Sequence, residues 1–344
     1  MQKHNFFMNH LKQGSSGLTL AVLIGVLSYG IRVLTKASFA DPLLVAMVIG
    51  IVVRTTGSRA NLKPGFTLAP IIFIPAGIVF YAANNLNFIK LAEVETSMIA
   101  LLMVIMLVYF ATVLLLGRLL GQRKQITYLT ATGSAICGAS AIAITSPAVE
   151  AEPDDISISL LSVALAALVG LFIILPFLGT LFDITDRSYA LLSGSVMQFT
   201  GFVKVAALKI PFLRKEIPGE DLVFLALSVK AVRYLGLLIA IPLFASLTRK
   251  RLYFSWILWI FLGAGLLGTW CSVAHESFYR NSIIPFLKPV YNISWSIAMA
   301  AVGLNANVKK LLSDNGTKAL LMAFAGFFTA TAAFFAGLYV IQVF

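Results

Sequence analysis

Charge is scarce in this chain of 344 residues: Asp, Glu, Lys and Arg together make up 12% of it, against roughly a quarter in a soluble domain. With 59% hydrophobic residues and a mean hydropathy of +0.93, that scarcity excludes a water-soluble fold and predicts an integral membrane protein. Cysteine is almost missing. Cys137 and Cys271 are the two, both inside apolar runs, so there is no disulfide framework and no CxxC or Cys/His cluster for a metal. The three histidines, His4, His10 and His275, fall outside the apolar runs, which argues against a buried histidine proton relay. No Ser/His/Asp set, phosphate loop or metal motif is present, so the chain does not read as an enzyme and no cofactor is expected. The net charge of +12 is a membrane-surface signal before it is a ligand signal. Its basic residues sit in short loops between spans, which leaves nucleic-acid binding without support.

What is present is a series of apolar runs of about 20 residues, the length of helical spans and unlike the ten-residue alternation of a barrel. Eleven spans are predicted, near 17–34, 41–54, 65–82, 97–117, 126–150, 156–180, 189–209, 221–247, 254–273, 283–307 and 318–343. The first has the small residues of a weak cleavage site after it, but its length and Arg32 favour a retained helix. Fifteen loop cations fall on the N-terminal side of the membrane and eight on the other. That places the N-terminus in the cytoplasm and the C-terminus outside. Span five has a polar centre and span ten matches it best, so spans two to six and seven to eleven form two five-helix units, the second inverted. The expected fold is an all-α polytopic membrane protein of about eleven helices. Residues 1–38 are an extra N-terminal segment, 39–182 the first repeat and 183–344 the second.

Span five is the unusual stretch. Its centre reads Thr130, Thr132, Gly133, Ser134, Cys137, Gly138 and Ser140 where an ordinary span has Leu, Ile and Val. Two readings are open: small-residue helix packing, or a helix broken at membrane depth whose restarted half presents free N–H groups to a bound anion. Three cations also lie inside spans: Lys204 in span seven, and Lys230 with Arg233 three residues apart on one face of span eight. A cation at a helix centre costs roughly 2.5–3.5 kcal/mol and needs a partner or a wet cavity. All fourteen acidic residues fall in loops or at span ends, so no buried carboxylate supplies that partner. Either the pair attracts an anion, or it braces the carbonyl ends of broken helices; both can hold together. Lys204, nearer its span's end, reads as snorkelling to the interface.

Three segments resemble one family. Gly133-Ser134-Ala135-Ile136-Cys137-Gly138-Ala139-Ser140-Ala141-Ile142-Ala143, Lys230-Ala231-Val232-Arg233 with the apolar run to Pro242, and Ala298-Met299-Ala300-Ala301-Val302-Gly303-Leu304 are similar to the YeiH-type family of bacterial membrane proteins, described as sulfate exporters. The resemblance covers the chain from about residue 40. It implies the fold of the sodium/proton antiporter and bile-acid symporter superfamily, in which two broken helices, here spans five and ten, cross between a core and a panel domain. One departure stands out: where many members carry a His with an acidic neighbour in span seven, this chain reads Ser195-Val196-Met197-Gln198-Phe199-Thr200-Gly201.

The function expected from residues and resemblance together is secondary transport, in the export direction by the family's label, of a small sulfate-, sulfite- or sulfonate-like anion. Ser134, Cys137, Gly138, Ala139, Ser140, Lys230, Arg233, Ser294 and Ser296 are the expected binding residues, with Gln198 and Lys204 secondary. The alternatives are a sodium- or proton-coupled organic-anion symporter and an anion channel or sensor. The expected partners are the anion, the lipid bilayer and, as an option, a second copy in a homodimer. The expected location is the bacterial cytoplasmic (inner) membrane.

Overall fold

The computed structural model describes residues 2–35, 41–56, 62–85, 96–208, 219–250, 256–305 and 313–343. Several predicted loop cations and the 38/39 repeat boundary lie outside these residues. Every regular element among them is helical. Six helices are long and apolar enough to cross a membrane: Ser15–Thr35, Pro64–Asn84, Thr96–Leu119, Pro153–Leu181, Asp221–Arg249 and Asp314–Tyr339. Leu107, Leu115, Phe172, Ile173 and Phe177 are exposed, as side chains bathed in lipid tails are expected to be. Predicted spans two and nine are the shorter helices Pro42–Thr56 and Trp256–Ala274.

The chain forms two compact units, one of residues 1–86, 151–158 and 256–313, the other of 87–150, 159–255 and 314–344. Each draws helices from both predicted repeats. In the first unit α1 (Gln2–Thr35), α2 (Pro42–Thr56) and α3 (Lys63–Asn85) pack around α14 (Ile284–Asn305), with α13 (Trp256–Ala274) against α3. Here α14 corrects the expectation of a second broken helix in span ten, because it runs unbroken from Ile284 to Asn305. Its small residues serve close approach instead. A Cβ on Gly303 would fall 2.2 Å from the Met47 carbonyl oxygen, and one on Gly50 would fall 2.4 Å from that of Ala300. Two helix backbones therefore touch there, the packing use of small residues.

The second unit contains α4 (Thr96–Leu119), α5 (Lys124–Thr132), α6 (Ala139–Thr145), most of α7 (Pro153–Val169), α8 (Leu175–Leu181), α9 (Asp186–Val196), α10 (Thr200–Leu208), α11 (Gly219–Val232), α12 (Gly236–Arg249) and α15 (Asp314–Val343). Predicted span five is not a crossing rod. It is a helical hairpin, α5, a π turn over Gly133–Cys137, then α6, whose arms pack on each other. The reversal is made at Gly138, φ +64° and ψ −124°, a conformation that only glycine adopts without strain. The face of Gly133 meets Ile142 across the hairpin. Its two ends lie at the same end of α12: Tyr128 stacks on Phe244 at 4.6 Å, and Glu150 is ion-paired to Arg249 at 2.8 Å.

Span seven is corrected in the same way. Helix α9 ends where Met197 turns extended (φ −69°, ψ 136°), Gln198 and Phe199 are non-helical, and α10 folds back so that α9 and α10 both pack on α11. The second hairpin therefore enters from the α11 end, the first from the α12 end. Non-helical backbone at membrane depth is tolerated only when buried in protein or lining a cavity.

Candidate functional site

Helices α11 and α12 are one continuous rod with a tight 3-10 turn over Arg233–Leu235, and the hairpin tips converge on its middle. Lys230 and Arg233 are both fully buried. The Lys230 ammonium donates to the carbonyls of Ile136 (3.2 Å), Met197 (2.9 Å) and Gln198 (2.8 Å). It has three N–H groups, so none is left over. Arg233 donates from Nε to Ala135 O (2.8 Å), from Nη1 to Met197 O (2.8 Å) and Gly194 O (3.4 Å), and from Nη2 to Ser134 O (2.9 Å). Each cation thus bonds both hairpins, and both bond the Met197 carbonyl.

The energetics explain why two cations survive there. A helix that stops leaves up to four carbonyls without partners, and each costs several kcal/mol in hydrocarbon. A hydrogen bond from a charged donor contributes about 1.5–3 kcal/mol, so the bonds to each side chain offset the roughly 2.5–3.5 kcal/mol of burying it. The charge is not cancelled, however. Each helix C-terminus carries about half a negative charge, but the helices that restart at Ala139 and Thr200 bring positive N-termini of the same size to the same tips, so the helix ends do not offset the side-chain charge. Among the described residues, the ionisable groups facing the pair are the Cys137 thiol and the Tyr109 and Tyr234 phenols, with no carboxylate.

Tyr109, from the middle of α4, completes the arrangement. Its ring lies 5.8 Å from the Arg233 guanidinium carbon, within cation–π range. Its hydroxyl donates to Val196 O (2.8 Å) and accepts from Gln198 Nε2 (3.2 Å). The tips also touch each other: a Cβ on Gly138 would lie 3.1 Å from the Phe199 ring. Around this seam the Ser134, Ser195 and Gln198 side chains are fully buried, and Ser134 Oγ, Ser195 Oγ and Gln198 Oε1 have no hydrogen-bond partner among the described residues.

A family profile, Conserved hypothetical protein 698, matches residues 16–323, a range that includes both hairpins and both cations. The chain belongs to that family. It is 26% identical over 316 residues to a UPF0324 membrane protein of Archaeoglobus fulgidus, covering 92% of this chain and 90% of that one. It is 29% identical over 329 residues to a UPF0324 membrane protein of Bartonella henselae, covering 90% and 88%. A Streptococcus agalactiae relative of the same description is 26% identical over 327 residues, covering 91% and 93%. No solved structure shows significant similarity. Relatives named as membrane proteins, with the long apolar helices described above, make this family member a membrane-embedded protein.

Of the residues singled out in the sequence, Ser134, Cys137, Gly138, Ala139, Gln198, Lys230 and Arg233 fall at the hairpin tips or on the rod between them. Cys137 closes the π turn and is buried, as is Ala139, while Ser140 is half-buried. Lys204 is half-buried on α10. Ser294 and Ser296 lie on α14 in the first unit, both buried, with the Ser296 hydroxyl unpartnered. Sequence reasoning missed Tyr109 and Ser195. A signal for Ser195 existed: Gly194-Ser195 precedes the second tip as Gly133-Ser134 precedes the first.

Proposed function

We propose that the protein is a secondary transporter of a small inorganic anion. One observation carries the reading: two opposed re-entrant hairpins meet on a pair of buried cations that has no carboxylate beside it among the described residues. Re-entrant backbone near the midplane is where carriers build binding sites, and a local excess of positive charge selects a negatively charged guest. The roles differ from those expected of the sequence. Lys230 spends all three of its N–H groups on carbonyls and Arg233 four of its five, so the pair acts mainly through its field and by holding the tips. Direct contacts fall to Ser134, Ser195 and Gln198. The YeiH-type resemblance adds sulfate- or sulfite-like ions to the candidates.

Loop charge gives the second unit an orientation of its own. Arg118, Arg123, Lys124, Arg249, Lys250 and Lys318 lie at the Glu150 end of the second unit, and among its described loop cations only Arg187 moves to the other end. By the positive-inside rule the Glu150 end is cytoplasmic, in the inner membrane of a bacterium.

The unpartnered oxygens of Thr130 and Thr145 support a second reading, sodium-coupled symport through a carboxylate-free site. Counterflow of labelled sulfate, phosphate and hydrogen carbonate in proteoliposomes, with and without sodium, tests both. Saturable exchange without sodium supports the first reading and exchange only with sodium the second. No exchange of any anion refutes the assignment.

A further inference from the structure

Gln198 carries information about the guest beyond its charge. Its amide orientation is fixed by a relay. The Tyr109 hydroxyl gives its one proton to Val196 O, so the group 3.2 Å from its oxygen must be a donor, the Nε2 end of Gln198. The other end, Oε1, is an acceptor only. It is fully buried and receives no hydrogen bond among the described residues, and the Lys230 protons are committed to carbonyls. The Ser134 and Ser195 hydroxyls, also unpartnered, can donate or accept.

A guest that satisfies this set must accept hydrogen bonds at some atoms and donate one at another. A fully deprotonated oxyanion only accepts, and it leaves Oε1 orphaned. A bare metal cation would suit Oε1 but meets the field of Lys230 and Arg233.

Resting on the anion-carrier reading, we propose that the site selects a hydrogen-bearing oxyanion, one with both an –OH group and negatively charged oxygens, whose proton is read by Gln198 Oε1. Leaving a buried acceptor unpaired weakens binding about tenfold or more. Sulfate is then a poor guest beside an ion of the same shape that keeps a hydrogen.

Two isosteric pairs test this on the purified full-length protein: hydrogen carbonate against nitrate, both trigonal and monovalent, and hydrogen phosphate against sulfate, both tetrahedral. Binding is read by calorimetry at mildly alkaline pH. The hydrogen-bearing member of each pair is expected to bind about tenfold tighter or better. Gln198→Met removes the acceptor and is expected to erase the preference, so that the two members of each pair bind alike. Tyr109→Phe frees the amide to turn its NH2 end to the guest, and is expected to improve nitrate and sulfate. Equal affinities within each pair, or a preference for nitrate and sulfate, overturn the proton-reading role and leave the anion site standing. Failure of all four ions to bind overturns both.

Discussion

The Met197 carbonyl is shared by Lys230 and Arg233, and that sharing has a measurable signature. Lys230→Met leaves Ile136 O and Gln198 O without the donor they had, while Met197 O keeps Arg233. Arg233→Met orphans Ala135 O, Ser134 O and Gly194 O, while Met197 O keeps Lys230. Each orphan costs about 1–3 kcal/mol. Only the double variant strips Met197 O entirely, an added cost of the same size that neither single variant shows. Repulsion acts in the same direction. The two nitrogens that meet at Met197 O, at 2.9 and 2.8 Å, are within about 6 Å of each other, and at an effective dielectric near 20 they repel by about 3 kcal/mol. Either single variant relieves that repulsion and the double relieves it only once. The double variant is therefore expected to be less stable than the sum of the singles by about 4–6 kcal/mol. Equilibrium unfolding in mixed micelles, run as a double-mutant cycle, measures the difference. Additivity within about 0.5 kcal/mol would refute the shared clamp.

Other outcomes follow from single positions. Gly138→Ala places a Cβ against Phe199 in a backbone conformation reserved for glycine, and is expected to cost about 2–4 kcal/mol, read by the same unfolding assay. Gly303→Ala forces a Cβ into the Met47 carbonyl; it is expected to destabilise by about 2 kcal/mol or more without altering anion affinity. Glu150→Gln breaks a partly exposed ion pair and is expected to cost less than about 1 kcal/mol. Cysteines placed at 150 and 249 in a background lacking Cys137 and Cys271 are expected to be joined by a bifunctional thiol reagent that spans the former ion pair and to react from the same face of the membrane. Labelling from opposite faces would rule out the re-entrant hairpin.

The polar centre of span five was legible because Gly133, Ser134 and Gly138 are costly choices for a lipid-facing rod. The buried cations were legible because charge stands out against apolar sequence. Three things were not. A hydropathy window sums over a hairpin as it does over a rod, so the 22 residues of Lys124–Thr145 read as one crossing. The small residues of Ala298–Gly303 look like those of span five, and only the neighbouring Met47 backbone shows that they serve contact. The second tip breaks at Met197 without a glycine at the break. Its carbonyls are satisfied from Lys230 and Arg233, more than thirty residues away, a long-range remedy that local composition does not register.

The two cations divide their grip between the hairpins. Three of the bonds go to the first hairpin, at Ser134, Ala135 and Ile136. Four go to the second, through Gly194, Met197 and Gln198, one of them long at 3.4 Å. Withdrawing either hairpin alone strips a similar share of the clamp and leaves the other anchored to the rod. Neither hairpin is favoured by the latch; in the proposed transporter, whichever one withdrew would leave its counterpart bolted.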